Sequence, residues 1–273
     1  MYRFQIYLDV HGSTTVTYKQ NNSVFLENSK EKLSEIIKEK RLENIDVSVT
    51  VKQLTAQEAI GDPGRRDFPV IEGKERVIEA QFLSVKGHAF TDSPGEFIGE
   101  LKQILDFPLT TNKNRAIYIA TLNAVLRHLD LCDKTVHCKD DEPAKCAKEI
   151  SSYIYEIWGN NKVGLIGLNP AIAESLVQLF GSENVKITDL NVSNINSVKW
   201  GVLIWDGRKM TELLIKQADV VLLTGTTLVN ATFDHIMSCV HKYDKKYLIY
   251  GVTAGAICKL MGLSRICPYG RNQ

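Results

Sequence analysis

Charge of one sign is what this chain most plainly lacks. Its 273 residues carry a formal net charge of +1 with 24% charged side chains, so no electrostatic footprint for nucleic acid or an anionic membrane surface is present. A membrane-spanning apolar run is missing as well: the apolar stretch over residues 163–180 is interrupted by Asn169, Pro170 and Glu174. The opening MYRFQIYLDVHG places charges and turn residues where a secretion signal needs an apolar core. These absences lead to the expectation of a cytoplasmic protein with no membrane and no nucleic-acid partner, acting on small molecules or metals. Six cysteines occur without paired CxxC motifs, which excludes a zinc ribbon and reads as reduced thiols in a chain of this kind. Neither GxGxxG nor a nucleophile elbow is found, so a standard NAD or FAD pyrophosphate site is disfavoured and hydrolase chemistry has no support.

What is there is concentrated midway. Residues 135–147, TVHCKDDEPAKCA, bring a histidine, two cysteines and three carboxylates into one short segment. Carboxylates followed by Pro143 mark a helix start, because proline is tolerated in the first turn and negative charge suits the positive end of the helix dipole. Cys146 then falls in the first turn, where unpaired N–H groups favour a thiolate. His137, Cys138 and Cys146 together suit zinc, copper, nickel or iron, with Cys132 available as a fourth ligand. The same residues also suit a plainer role, two small buried thiols beside a hydrogen-bonded loop histidine, and the spacing alone slightly favours that plainer role.

Periodicity divides the chain into an α+β half over residues 1–158 and an α/β half over residues 159–273. The first half is expected to open with a hairpin (residues 2–10 and 14–20) and a helix over 30–43 capped by Asn28-Ser29. Strands over 45–55, 76–82 and 87–91 follow. A loop-rich stretch over 59–75 carries the charge cluster Asp62, Arg65, Arg66 and Asp67, a candidate anion clamp or a solvated turn. Ser93-Pro94-Gly95-Glu96 has the form of a capping box and predicts a helix reaching Leu105. Residues 114–129 form a helix apolar on nearly all faces, in which the buried amide of Asn123 either stitches the two halves together or points into a site. The second half alternates short β-rich runs with helices, the signature of a parallel sheet covered on both faces, with 198–208 ambiguous between strand and loop.

In such sheets ligands collect at the carboxyl ends of the strands. The relevant residues are Asn169, Asp189, the TGTTLVN loop (Thr224, Gly225, Thr226, Thr227, Asn230) and Thr253. Asp189 ends the second strand, roughly 20 residues after the first loop, where an acidic residue binds a ribose in nucleotide-binding folds. The hydroxyls of TGTTLVN either offer donors to an anion or simply cap the following helix.

With HCKDDEPAKCA, ATLNAV, TGTTLVN and the closing CPYG in view, the sequence resembles a bacterial and archaeal family named for heavy-metal chelation. That resemblance implies an enolase-N-terminal-like α+β domain followed by a Rossmann-like domain, with a ligand site in the cleft between them. It places Asn123, His137, Cys138, Cys146 and residues 224–230 around that cleft. The expected function is binding of a transition metal or a metal-chelating small molecule; the alternative is an enzyme acting on a nucleotide-like or adenosyl substrate. Apolar edges are compatible with a homodimer.

Overall fold

The computed structural model describes residues 23–42 and 48–272, so the expected N-terminal hairpin lies outside the described residues. Helix α1 (Val24–Glu39) buries Leu26, Leu33 and Ile37 along one face and is capped by Ser23. It therefore begins before the Asn28-Ser29 start read from sequence. The reason is tertiary: the Ser29 hydroxyl is committed to the core, 2.7 Å from both the Leu26 carbonyl and the Tyr118 hydroxyl, and is not free to cap.

Four antiparallel strands follow, β1 (Ser48–Leu54), β2 (Arg76–Phe82), β3 (Val85–Thr91) and β4 (Phe97–Glu100), in the order β3-β2-β1-β4. A short helix α2 (Ala56–Ile60) sits behind the capping box of Thr55 and Glu58. The helix expected from Ser93 onward is replaced by β4, and only α3 (Leu101–Leu105) is helical. Pairing of Phe97 and Ile98 with Val51 and Thr50 gives this segment ladder hydrogen bonds that local propensity does not register. Phe97 also packs edge-on against Phe107, centroids 5.2 Å apart.

Helix α4 (Asn112–His128) is buried on nearly every side. It lies against β2 and β3 on one side and against the C-terminal half on the other. The close approach to β3 requires Gly87, where a Cβ would fall 2.4 Å from the Ala120 carbonyl oxygen and the Ala124 nitrogen. Helix α5 (Glu142–Trp158), with Pro143 in its first turn, stops at Gly159, whose φ of 77° few other residues tolerate.

The remaining elements are β5 (Val163–Ile166), α6 (Pro170–Phe180), β6 (Val185–Asp189), β7 (Val198–Lys199), β8 (Val202–Asp206), α7 (Gly207–Gln217), β9 (Val220–Thr224), α8 (Thr226–Val229), α9 (Phe233–Lys242), β10 (Lys246–Tyr250), α10 (Gly255–Met261) and β11 (Arg265–Ile266). They form a seven-stranded sheet ordered β11-β10-β9-β5-β6-β8-β7, parallel except for β7, which is antiparallel to β8. The ambiguous segment is thus a hairpin, turned by Trp200 and Gly201 at φ 50° and 78°, the positive-φ pair that a tight two-residue hairpin demands. Four-stranded antiparallel and mostly parallel sheets make the fold a mixed α/β one. Among the described residues no helix is long and apolar enough to cross a membrane.

The chain steps outward from β5 through β6 to β8, then returns to place β9 on the other flank of β5 and continues to β10 and β11. Strand order reverses at β5/β9, and the loops leaving those two strands part in opposite directions. A crevice opens there.

Candidate functional site

The crevice has two lobes that share Gly167, Thr224 and Thr226. The first, with a cavity of about 130 Å³, is walled by Phe68, Phe90, Ile150, Ile172 and Tyr250 and carries His137, Cys138, Cys146, Cys267 and Glu75. The second, about 290 Å³, is lined by Thr188, Asp189, Arg208, Thr227, Asn230 and His235 among others.

The strand-end loops are held by their own side chains. Asn169 caps α6, its Oδ1 accepting from the N–H groups of Ala171 and Ile172 at 3.1 and 3.2 Å, so that helix end is already satisfied. Thr227 donates to the Thr224 carbonyl at 2.7 Å. Asn230 accepts from the Thr232 N–H and hydroxyl, and the Thr226 and Thr224 hydroxyls lie 3.2 Å apart. Thr253 accepts from the Phe90 N–H at 3.1 Å, and the Tyr250 hydroxyl donates to the Gly167 carbonyl at 3.0 Å. Asp189 is aimed by the Asn191 N–H on one oxygen and the Asn194 amide on the other, at 2.9 and 3.0 Å. Thr188 presents a buried hydroxyl with no hydrogen-bond partner among the described residues.

At the thiol end, the Cys138 thiol lies 4.0 Å from both ring nitrogens of His137; the neighbouring Cys138 lowers the Cys146 thiol below its ordinary value, and Cys146 together with burial raises that of Cys138. Burial raises Cys267. His137 packs against Phe90 at 5.0 Å, and its Nδ1 donates to the Cys138 carbonyl at 2.6 Å. Burial first, then the neighbouring His88, brings its pKa down to about 4, so the ring is neutral at pH 7. Glu142 accepts from the Lys139 N–H and pairs with Arg271 at 2.7 Å, fastening the C-terminal segment beside the thiols.

Glu75, half-buried at the approach to β2, faces the same lobe. Desolvation, with the charges of Asp189 and Asp92, raises its carboxyl to about 7. Its side chain has no hydrogen bond or ion pair to any described residue. By contrast the Arg65 of the loop over 59–75 is spoken for: it pairs with Asp67 at 2.7 Å and with Glu174 on α6 at 2.8 Å, so this loop is pinned to the parallel-sheet half.

The family model described as "Putative heavy-metal chelation", DUF364, matches residues 152–265. Two crystal structures of DUF364 proteins of unknown function resemble this one. The one from Pyrococcus horikoshii is 14% identical with a TM-score of 0.48, covering 84% of this chain and 80% of its own. The one from Desulfitobacterium hafniense is 14% identical with a TM-score of 0.46, covering 68% and 72%. No curated protein matches this sequence. The DUF364 match begins within α5 and ends at β11, so it contains the strand-end loops, while His137, Cys138, Cys146 and Cys267 fall outside it.

The donors present do not fit a resident heavy metal of the kind the DUF364 description suggests. Among the described residues no three His, Cys, Asp or Glu side chains are placed to hold an ion. The His137 Nδ1 is committed to the Cys138 carbonyl, and Cys132 lies away from the crevice, its thiol directed at the Asn123 carbonyl 3.8 Å away. Of the residues singled out from sequence, His137, Cys138, Cys146, Asn169, Thr224, Gly225, Thr226 and Thr253 line the first lobe, and Asp189, Thr227 and Asn230 the second. Asn123 lines neither: its Nδ2 donates to the carbonyls of His88 and Val252 at 2.9 and 3.1 Å, and its Oδ1 accepts from the Ala256 N–H at 2.8 Å. Sequence reasoning missed Glu75, Tyr250 and Cys267. Only Cys267 left a trace, in the CPYG motif that carried the resemblance.

Proposed function

We propose that this protein is a DUF364 member that binds a small organic molecule in the two-lobed crevice, without a resident metal. In this reading residues 159–273 are a Rossmann-like unit supplying the strand-end loops, and residues 1–158 an enolase-N-terminal-like unit closing the thiol lobe. The observation that carries it is the continuity of the two lobes over Gly167, Thr224 and Thr226 at the reversal of strand order, the position at which open α/β sheets bind ligands.

The test is thermal shift against cationic, neutral and anionic small molecules, with Thr226→Trp as the control, since a bulky ring at that position fills the junction of the lobes. At 100 times Kd a ligand stabilises by about 2.7 kcal/mol, and that gain is expected to vanish in T226W. A ligand that stabilises both forms equally binds elsewhere and overturns the proposal. Elemental analysis of tag-free protein purified under reducing conditions is expected to find no stoichiometric metal. Zinc retained by wild type and lost in the Cys138→Ser, Cys146→Ser double variant would restore a metal centre.

A second reading, a ligand bearing a ribose, is favoured by the orientation of Asp189 at the end of β6. A pyrophosphate is disfavoured, because Asn169 already occupies the α6 terminus that would receive it. Adenosine and S-adenosylmethionine are therefore expected to outperform NAD in the same screen, and Asp189→Asn to remove the difference.

A further inference from the structure

We infer that the crevice selects ligands carrying a protonated amine, and that Glu75 is the group that recognises it. The inference rests on the crevice being a small-molecule site, as proposed above, and adds the charge of the occupant.

Three observations converge. First, the Glu75 carboxylate is half-buried in the wall of the first lobe and has no hydrogen-bond or ion-pair partner among the described residues. A carboxylate in that setting is costly unless a cation joins it. Second, among the described residues the lining of this lobe includes no lysine or arginine; its other titratable groups are His137, Tyr250 and the thiols of Cys138, Cys146 and Cys267. Arg265 lies behind the wall with its guanidinium bonded to the carbonyls of Gly251, Asp133 and Lys134. Third, Phe90 and Tyr250 bring aromatic rings to the same lobe, and aromatic rings attract cations; the Phe68 ring in its wall already carries the Arg65 guanidinium, 5.6 Å from its centroid.

The groups acting on Glu75 are Asp189 at the end of β6, Asp92 after β3 and Tyr250 at the end of β10. The two aspartates add negative potential, which repels an anionic ligand and favours an ammonium. Because the Glu75 carboxyl ionises near pH 7, amine binding is coupled to loss of its proton.

The experiment measures the affinity of phenethylamine, 2-phenylethanol and phenylacetate for wild type and Glu75→Gln by calorimetry at pH 8. The amine is expected to bind wild type at least about 10-fold more tightly than the alcohol, as one charge-assisted hydrogen bond allows. In E75Q that ratio is expected to fall to about one with the alcohol affinity retained. Wild-type affinity for the amine is also expected to drop about 10-fold from pH 8 to pH 6, as a carboxyl near 7 takes up its proton; this needs no variant. Equal binding of amine and alcohol to wild type, preference for phenylacetate, or an amine preference surviving in E75Q overturns the inference and leaves the crevice proposal standing. Failure of all three compounds to bind wild type overturns both.

Discussion

Replacing Glu75 with glutamine is expected to stabilise the protein at pH 8 and to leave it nearly unchanged at pH 4.5. The carboxyl is raised from 4.5 to about 7, chiefly by burial and further by Asp189 and Asp92. At 1.36 kcal/mol per pK unit, ionising it in the folded state costs about 3 kcal/mol more than in the unfolded chain. Glu75 is only half-buried, and solvent screening reduces the figure to about 1–3 kcal/mol. The folded value lies above the unfolded one, so the contribution of the protonated group is complete below pH 4.5 and is lost as pH rises through 7. Glutamine keeps the volume and cannot ionise, so it escapes that loss. Urea unfolding of both forms at pH 4.5 and pH 8 gives a double difference in which all other titrating groups cancel. An E75Q advantage that is the same at both pH values refutes the picture of a desolvated, unpaired carboxylate.

Three further outcomes follow from individual contacts. At pH 7 Cys146 is expected to be alkylated by iodoacetamide ahead of Cys138, because the neighbouring Cys138 favours its thiolate; Cys138→Ala should slow that reaction by about threefold for each pK unit regained, the smaller thiolate fraction being partly offset by higher nucleophilicity, and undiminished labelling by mass spectrometry would refute it. Asn123→Ala removes the amide's bonds to the carbonyls of His88, Val252 and Thr253 and leaves the Ala256 N–H without its side-chain acceptor in the core, a loss of about 2–3 kcal/mol; a loss below about 1 kcal/mol in denaturant unfolding would show that Asn123 does not stitch the halves. Gly87→Ala forces a methyl to 2.4 Å from α4 backbone atoms, and since backbone cannot rotate aside, about 2–3 kcal/mol should be lost; wild-type stability would contradict the close packing of β3 on α4.

How far the sequence could be read depended on whether each cause was local. The parallel sheet was legible almost residue by residue because β5 and β9 are continuous apolar runs bounded by glycine, and strands buried on both faces look that way in any order. The order itself was not legible, since a run of βα units does not say on which flank of β5 the chain will place β9. In the antiparallel half the errors have distant causes: β4 exists because β1 offers it an edge, and α1 starts early because Tyr118, far along the chain, claims the hydroxyl of Ser29.

The site divides along the same line. Asn169, Asp189 and Thr224 could be chosen from strand ends alone, and each spends part of its hydrogen-bonding capacity on holding its own loop. What distinguishes the crevice comes from elsewhere, Glu75 from the approach to β2, Cys146 from α5 and Cys267 from beyond β11. Glu75 in particular carries no motif, because its importance lies in having an apolar wall and two aspartates around it and no ion-pair partner among the described residues. A loop cradle common to open α/β sheets is therefore encoded by short local patterns, whereas the charge it accepts is encoded by residues that only folding brings together.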